Sequence, residues 1–112
     1  MKAYILKTFK GCDILLHMII AELAIFPTSE GVSVSKYVKK ALEEIEKSGL
    51  KHETGAMSTT IEAKSLDEIF EVIKRAHEAI VGMGAKRIHI DLRIDHRLDK
   101  EATIESKKRA VQ

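Results

Sequence analysis

Two hydrophobic rhythms alternate along this chain, and their order predicts its architecture. The run IIAELAIF from Ile19 to Phe26 is rich in strand-forming side chains and stops at Pro27, the one proline, whose nitrogen has no proton to give a ladder. This is the expected first strand. After a polar loop over 28–31, Val34, Tyr37, Val38, Ala41, Leu42 and Ile45 recur at helical spacing, with Ser33 or Ser35 as the candidate N-cap and Gly49 as the stop. The stretch LKHETGAMSTTIEA holds no helical stripe and carries Gly55 near its middle, so it predicts two short antiparallel strands about a turn at 55–58. Ser65 and Glu68 then form an S-x-x-E capping box, with Asp67 suited to the positive end of a helix. Leu66, Ile69, Phe70, Ile73, Ala76, His77 and Ile80 form the stripe expected to be buried, and Gly82 and Gly84 end it. Ile88, Ile90, Leu92 and Ile94 alternate with Arg87, His89, Asp91, Arg93 and Asp95, the period of a strand with one face on a core. A charged turn over 97–100 precedes a short terminal helix from Thr103 to Val111.

The resulting order, βαββαβ, predicts an α+β, ferredoxin-like domain: a four-stranded antiparallel sheet with two helices on one face and a short C-terminal helix. Both main helices cover one side of such a sheet, so the other is expected to lack cover from within the chain. Side-chain alternation assigns residues to that open face. It receives Glu22, Thr60, Glu62, Asp91 and Arg93, converging about the central strand beside Ile20, Ala24 and Phe26. A carboxylate in a central strand among apolar neighbours requires a partner. The mixture suits a subunit interface as well as a solvated surface.

Length and composition narrow the function. With 112 residues the chain fits one domain, expected over 18–112 and preceded by an extension over 1–17 that carries no export signal. The 19 Lys and Arg nearly balance 17 Asp and Glu, which argues against nucleic acid as a partner. No apolar run reaches membrane-spanning length, so no membrane partner is expected. Cys12 is the one cysteine; it excludes an internal disulfide or multi-thiolate metal site within one chain and fits a reducing, cytoplasmic location.

The chemistry that is missing matters equally. The loop PTSEG lacks the paired thiols of a copper chaperone and the arginine-bearing phosphate loop of an acylphosphatase, and strand three offers Thr60, Ile61 and Glu62 where an RNA-recognition domain needs aromatics. No Gly-rich phosphate loop or nucleophile elbow is present. Of the five histidines, only His89 with Asp91 has ligand-like i, i+2 spacing on a strand face, and an exposed pair is the simpler reading, so no metal site is expected.

IAELAIFP, GVSVSKYVKKALEEIEKSGL, MSTTIEA, HEAIVGMGAKRI and IDHRLDK together resemble the YkoF-like small thiamine-binding proteins, a family of ferredoxin-like domains, from about Met18 to the C-terminus. Ser58 and Ala63 stand where the family pattern has glycine, which alters the turn between strands two and three. The resemblance implies a non-catalytic protein that binds thiamine or its hydroxymethylpyrimidine part at a subunit interface, needs no cofactor, and assembles as a homodimer that pairs into a homotetramer. Thiamine joins a thiazolium cation to an aminopyrimidine, so carboxylates, hydroxyls and apolar surface suit it. Candidate ligand-binding residues are Glu22 or Glu62 for the cation or amino group, Ser33, Ser35, Thr59 and Thr60 for hydrogen bonds, and Phe26 and Met57 for ring contact. Ser33 and Ser35 serve equally as helix caps, and Thr59 and Thr60 as ordinary strand formers. Two other classes stay open: a dimeric α/β-barrel enzyme using His89 with Asp91 or Glu62 as acid and base, and a structural oligomer without ligand. Burial predicts a dimer formed sheet against sheet, with Asp91 and Arg93 as reciprocal partners.

Overall fold

A computed structural model of the protein describes residues 17–112. Cys12 and all but the last residue of the expected N-terminal extension lie outside the described residues. The elements run β1 (Ile19–Pro27), α1 (Ser35–Ser48), β2 (Lys51–Thr54), β3 (Thr59–Ala63), α2 (Leu66–Gly82), β4 (Ile88–His96) and α3 (Ile104–Ala110). The strands form one antiparallel sheet in the order β2-β3-β1-β4. This is the ferredoxin-like α+β fold that the pattern predicts.

The alternation in β1 separates two chemistries. Ile19, Ala21, Leu23 and Ile25 are buried with Ile61, Ala63, Tyr37, Ala41, Ile45, Ile69, Val72, Ala76 and Ile80 in one core between sheet and helices. The main helices end where their residues direct. Gly49 takes the left-handed conformation that closes α1, with φ of 76°. Ser65 Oγ accepts the Glu68 N–H at 3.2 Å, while the Glu68 carboxylate accepts the Lys64 N–H at 2.8 Å. The N-cap of α1 is Val34 rather than Ser33 or Ser35, with no side-chain cap bond. Both serines are exposed. Tyr37 instead secures this entry: its hydroxyl donates to Glu30 Oε1 at 3.0 Å. Ser29 Oγ donates to the same carboxylate and accepts the N–H groups of Lys86 and Arg87. These bonds, Ser29 first and Tyr37 second, hold the Glu30 carboxyl below its ordinary value.

Two expectations change. Leu66 and Phe70 were expected in the buried stripe of α2, yet Leu66 is exposed and Phe70 is 51% exposed. The helix turns about 100° per residue. Val72, Glu68 and Arg75 therefore face α1, where they share a surface cavity with Lys47 and Ser48, while Leu66 and Phe70 fall on the opposite flank.

The second change concerns the open face, which the chain itself covers at one end. A row of open-face residues crosses the sheet as Lys51, Glu62, Ile20 and Asp95. α3 lies over it. Glu62 Oε1 accepts the Ile104 N–H at 2.8 Å, Lys51 pairs with Glu105, and Lys107 pairs with Asp95. Ile20, Ala102 and Ile104 are buried as a result. Thr103 and Ser106 close a reciprocal capping box that starts this seven-residue helix. So short a helix is marginal alone and depends on its docking.

That dependence carries a pH consequence. Lys107, by hydrogen bond and charge, holds the Asp95 carboxyl below its ordinary 3.8. A carboxyl lowered in the folded state contributes stability above its unfolded value and loses it as pH falls through the folded one. Acidification below the ordinary carboxylate range is therefore expected to release α3 before the core unfolds. Amide exchange resolved by residue checks this: protection over 104–110 should fall at acid pH while Ile61 and Leu23 stay protected. Loss of all protection together would show that α3 and the core form one cooperative unit.

Candidate functional site

Beyond the end covered by α3, the open face continues as three rows. Glu53, Thr60, Glu22 and Arg93 form the first, Ala24 and Asp91 the second, and Phe26 and His89 the third. Glu22 is placed at the centre by β1, the interior strand between β3 and β4. Its side chain is about half exposed and held from two sides. Ser58 Oγ donates to Oε2 at 2.8 Å, and Arg93 Nη1 stands 3.9 Å from Oε1, an ion pair beyond hydrogen-bond distance. Ser58 comes from the β2–β3 turn, where the Gly55 N–H donates to the Ser58 carbonyl at 2.8 Å and closes the loop.

These groups surround an open cavity of about 280 Å³ lined by Glu22, Ala24, Met57, Ser58, Asp91 and Arg93. Two carboxylates against one guanidinium leave it one negative charge in excess. The Met57 side chain, 87% exposed, projects from the turn and supplies polarizable apolar surface. Phe26 packs against His89 in the last row, ring centroids 5.3 Å apart and tilted by 34°. His89 Nε2 lies 3.8 Å from Asp91 Oδ2. A second cavity of about 140 Å³ lies on the helix side of the same turn, between Leu23, Val38, Leu42, Thr54, Met57 and Thr59. Met57 and Ser58 line both cavities.

The candidate residues therefore divide. Glu22 and Met57 line the open-face cavity, Thr60 stands directly opposite Glu22 in the ladder, and Phe26 lies two residue pairs along β1 from Ala24's row toward the strand end. Thr59 is buried on the helix side, its Oγ1 3.3 Å from that of Thr54, and belongs to the smaller cavity. Glu62 is engaged by α3, and Ser33 and Ser35 sit in the exposed entry to α1, outside both linings. Ser58 was missed as a site residue. Its contact with Glu22 joins positions 36 residues apart, and the local signal was confined to its place in a turn beside Met57. Asp91 and Arg93 were placed on this face by alternation but not among the ligand contacts.

The family model described as thiamine-binding protein matches residues 21–112, from the third residue pair of the β1–β3 ladder through α3. The chain belongs to this family. Among its relatives, a UPF0045 protein of Methanocaldococcus jannaschii is 46% identical over 98 residues, covering 88% of this chain and 96% of the relative. The UPF0045 protein YqgV of Bacillus subtilis is 40% identical, covering 84% and 94%. The crystal structure of the Methanocaldococcus protein superposes with a TM-score of 0.79, covering 86% of this chain and 97% of its own. A Thermotoga maritima structure, provisionally assigned to thiamine biosynthesis or salvage, gives 0.72 at 26% identity, covering 85% and 99%. Membership supports a small-molecule-binding role, and the family is described by what it binds rather than by a reaction. Among the described residues no helix is long and apolar enough to cross a membrane.

Proposed function

We propose that the protein binds thiamine or its hydroxymethylpyrimidine part in the open-face cavity around Glu22, without transforming it, in the cytosol. The observation that carries this reading is the half-exposed Glu22 carboxylate, presented by a central strand, oriented by Ser58, and bordered by Asp91 and the apolar Met57. A carboxylate excess suits a thiazolium cation or an aminopyrimidine's donors, and a thioether suits an aromatic ring. Phe26 and Thr60 extend the same surface to either side. The chain's place among thiamine-binding proteins supports the choice of ligand. At about 280 Å³ the cavity of one chain is near the lower end of small-molecule sites, which supports a site completed by a second copy.

Calorimetric titration of full-length, ligand-stripped protein with thiamine, thiamine phosphate and hydroxymethylpyrimidine tests the reading. Saturable heat is expected with at least one of the three, accompanied by a rise in thermal midpoint. Absence of both heat and thermal shift with all three would remove it.

A further inference from the structure

The strand positions of the open face carry five carboxylates, and α3 engages three of them. Lys108 pairs with Glu53 at 3.0 Å, Lys107 pairs with Asp95, and the Ile104 N–H donates to Glu62. The other two, Glu22 and Asp91, line the cavity, and none of the cavity's lining residues belongs to α3. The helix therefore sits on the acidic part of the sheet that adjoins the proposed site without entering the site itself. By register Glu62 pairs with Ile20 and Thr60 with Glu22, so Glu62 and Glu22 are diagonal neighbours across β1 and β3. Residues so placed stand about 7–8 Å apart.

The hold on α3 is slight. Its three ion pairs to the sheet, through Glu105, Lys107 and Lys108, are each about half exposed, and pairs of that kind contribute little. Of the seven helix residues Ile104 is the one that is buried, together with Ala102 just before the helix. A cavity of about 490 Å³ lies between Ser106, Lys107 and Ala110 on the helix and Arg97, Lys100 and Ala102 before it, so this flank is not packed. A segment held in this way opens at lower free energy than the core beneath it.

We infer that α3 is a displaceable strap that restrains the open-face site: docked, it engages Glu53, Glu62 and Asp95 and sets Lys107 and Lys108 over the acidic sheet, and released, it returns those carboxylates to the field that Glu22 offers a cation. The inference rests on the proposed binding of thiamine at Glu22 and concerns its regulation. Strap and ligand compete for charge rather than for space, because release of α3 removes no lining residue. Such coupling is reciprocal: if release of α3 tightens binding, bound ligand favours release by the same factor.

Calorimetry and residue-resolved amide exchange on the full-length protein test it. Ile104→Asn removes the apolar anchor while leaving the net charge and the cavity lining unchanged. Protection over 104–110 is expected to be lost while Ile61 and Leu23 stay protected, and thiamine is expected to bind about three- to tenfold more tightly, the scale of a further unpaired carboxylate about 7 Å from the cation. In the wild type, saturating thiamine is expected to speed exchange over 104–110 by a similar factor. That second measurement decides the matter without the variant. Unchanged or slower exchange in the liganded wild type, an Ile104→Asn protein that keeps α3 protected, or one that releases α3 yet binds thiamine no more tightly would overturn the inference while leaving the site at Glu22 standing. Absence of heat from both proteins would instead remove the site, and the strap's role with it.

Discussion

Replacing Ile61 with alanine is expected to destabilise the protein by about 2–5 kcal/mol, the range for truncating a fully packed aliphatic side chain. Ile61 is fully buried on β3, paired with Ala21 of β1 on one side and His52 of β2 on the other. Its neighbours are held by the sheet ladder and by α1 and α2, so the space cannot collapse and most of the lost contact is left as a cavity. Domains of this size have only about 5–15 kcal/mol of net stability, so the change takes a large part of it. Urea unfolding measures the effect: with a slope of about 2 kcal/mol per molar, the midpoint should fall by about 1–2.5 M. Val32→Ala is the comparison, since Val32 is fully exposed and its truncation should stay within about 0.5 kcal/mol. A midpoint for Ile61→Ala indistinguishable from that of Val32→Ala would contradict the packing described here.

Glu22→Gln is expected to act on ligand rather than on folding. The amide keeps the size of the side chain and can still accept from Ser58, but it removes the negative charge. At a half-exposed position, loss of the 3.9 Å contact with Arg93 should change stability by less than about 1 kcal/mol. A charge-assisted hydrogen bond to a bound cation or amino group is worth about 1.5–3 kcal/mol, which corresponds to a loss of about 10- to 150-fold in thiamine affinity. Calorimetry on wild type and variant reads this directly. Glu53→Gln serves as the control, because Glu53 lies on the outer strand of the same row and is occupied by Lys108 at 3.0 Å. Equal affinities for wild type and Glu22→Gln, with binding intact, would move the anchor elsewhere on the face.

By itself the sequence determined the elements, their order and the face on which most strand residues lie. These are local consequences of period: a strand with Ile88, Ile90, Leu92 and Ile94 on one side must place Asp91 and Arg93 on the other, and a stripe through Ile69, Ala76 and Ile80 must turn its helix toward a core. Tertiary structure decided the rest. Glu62, which alternation placed beside Glu22, was taken by a helix terminus 42 residues away, because α3 folds back over Ile20 and buries it with Ala102 and Ile104. Ser58 reached Glu22 only because the β2–β3 turn lies beside the centre of β1. Phe70 has the hydrophobicity of a core residue, yet it is exposed because, among the described residues, no further helix packs on the flank of α2 that faces away from α1. Periodicity records which side of an element is apolar; what covers that side depends on segments distant in the chain, and only the folded arrangement brings them together.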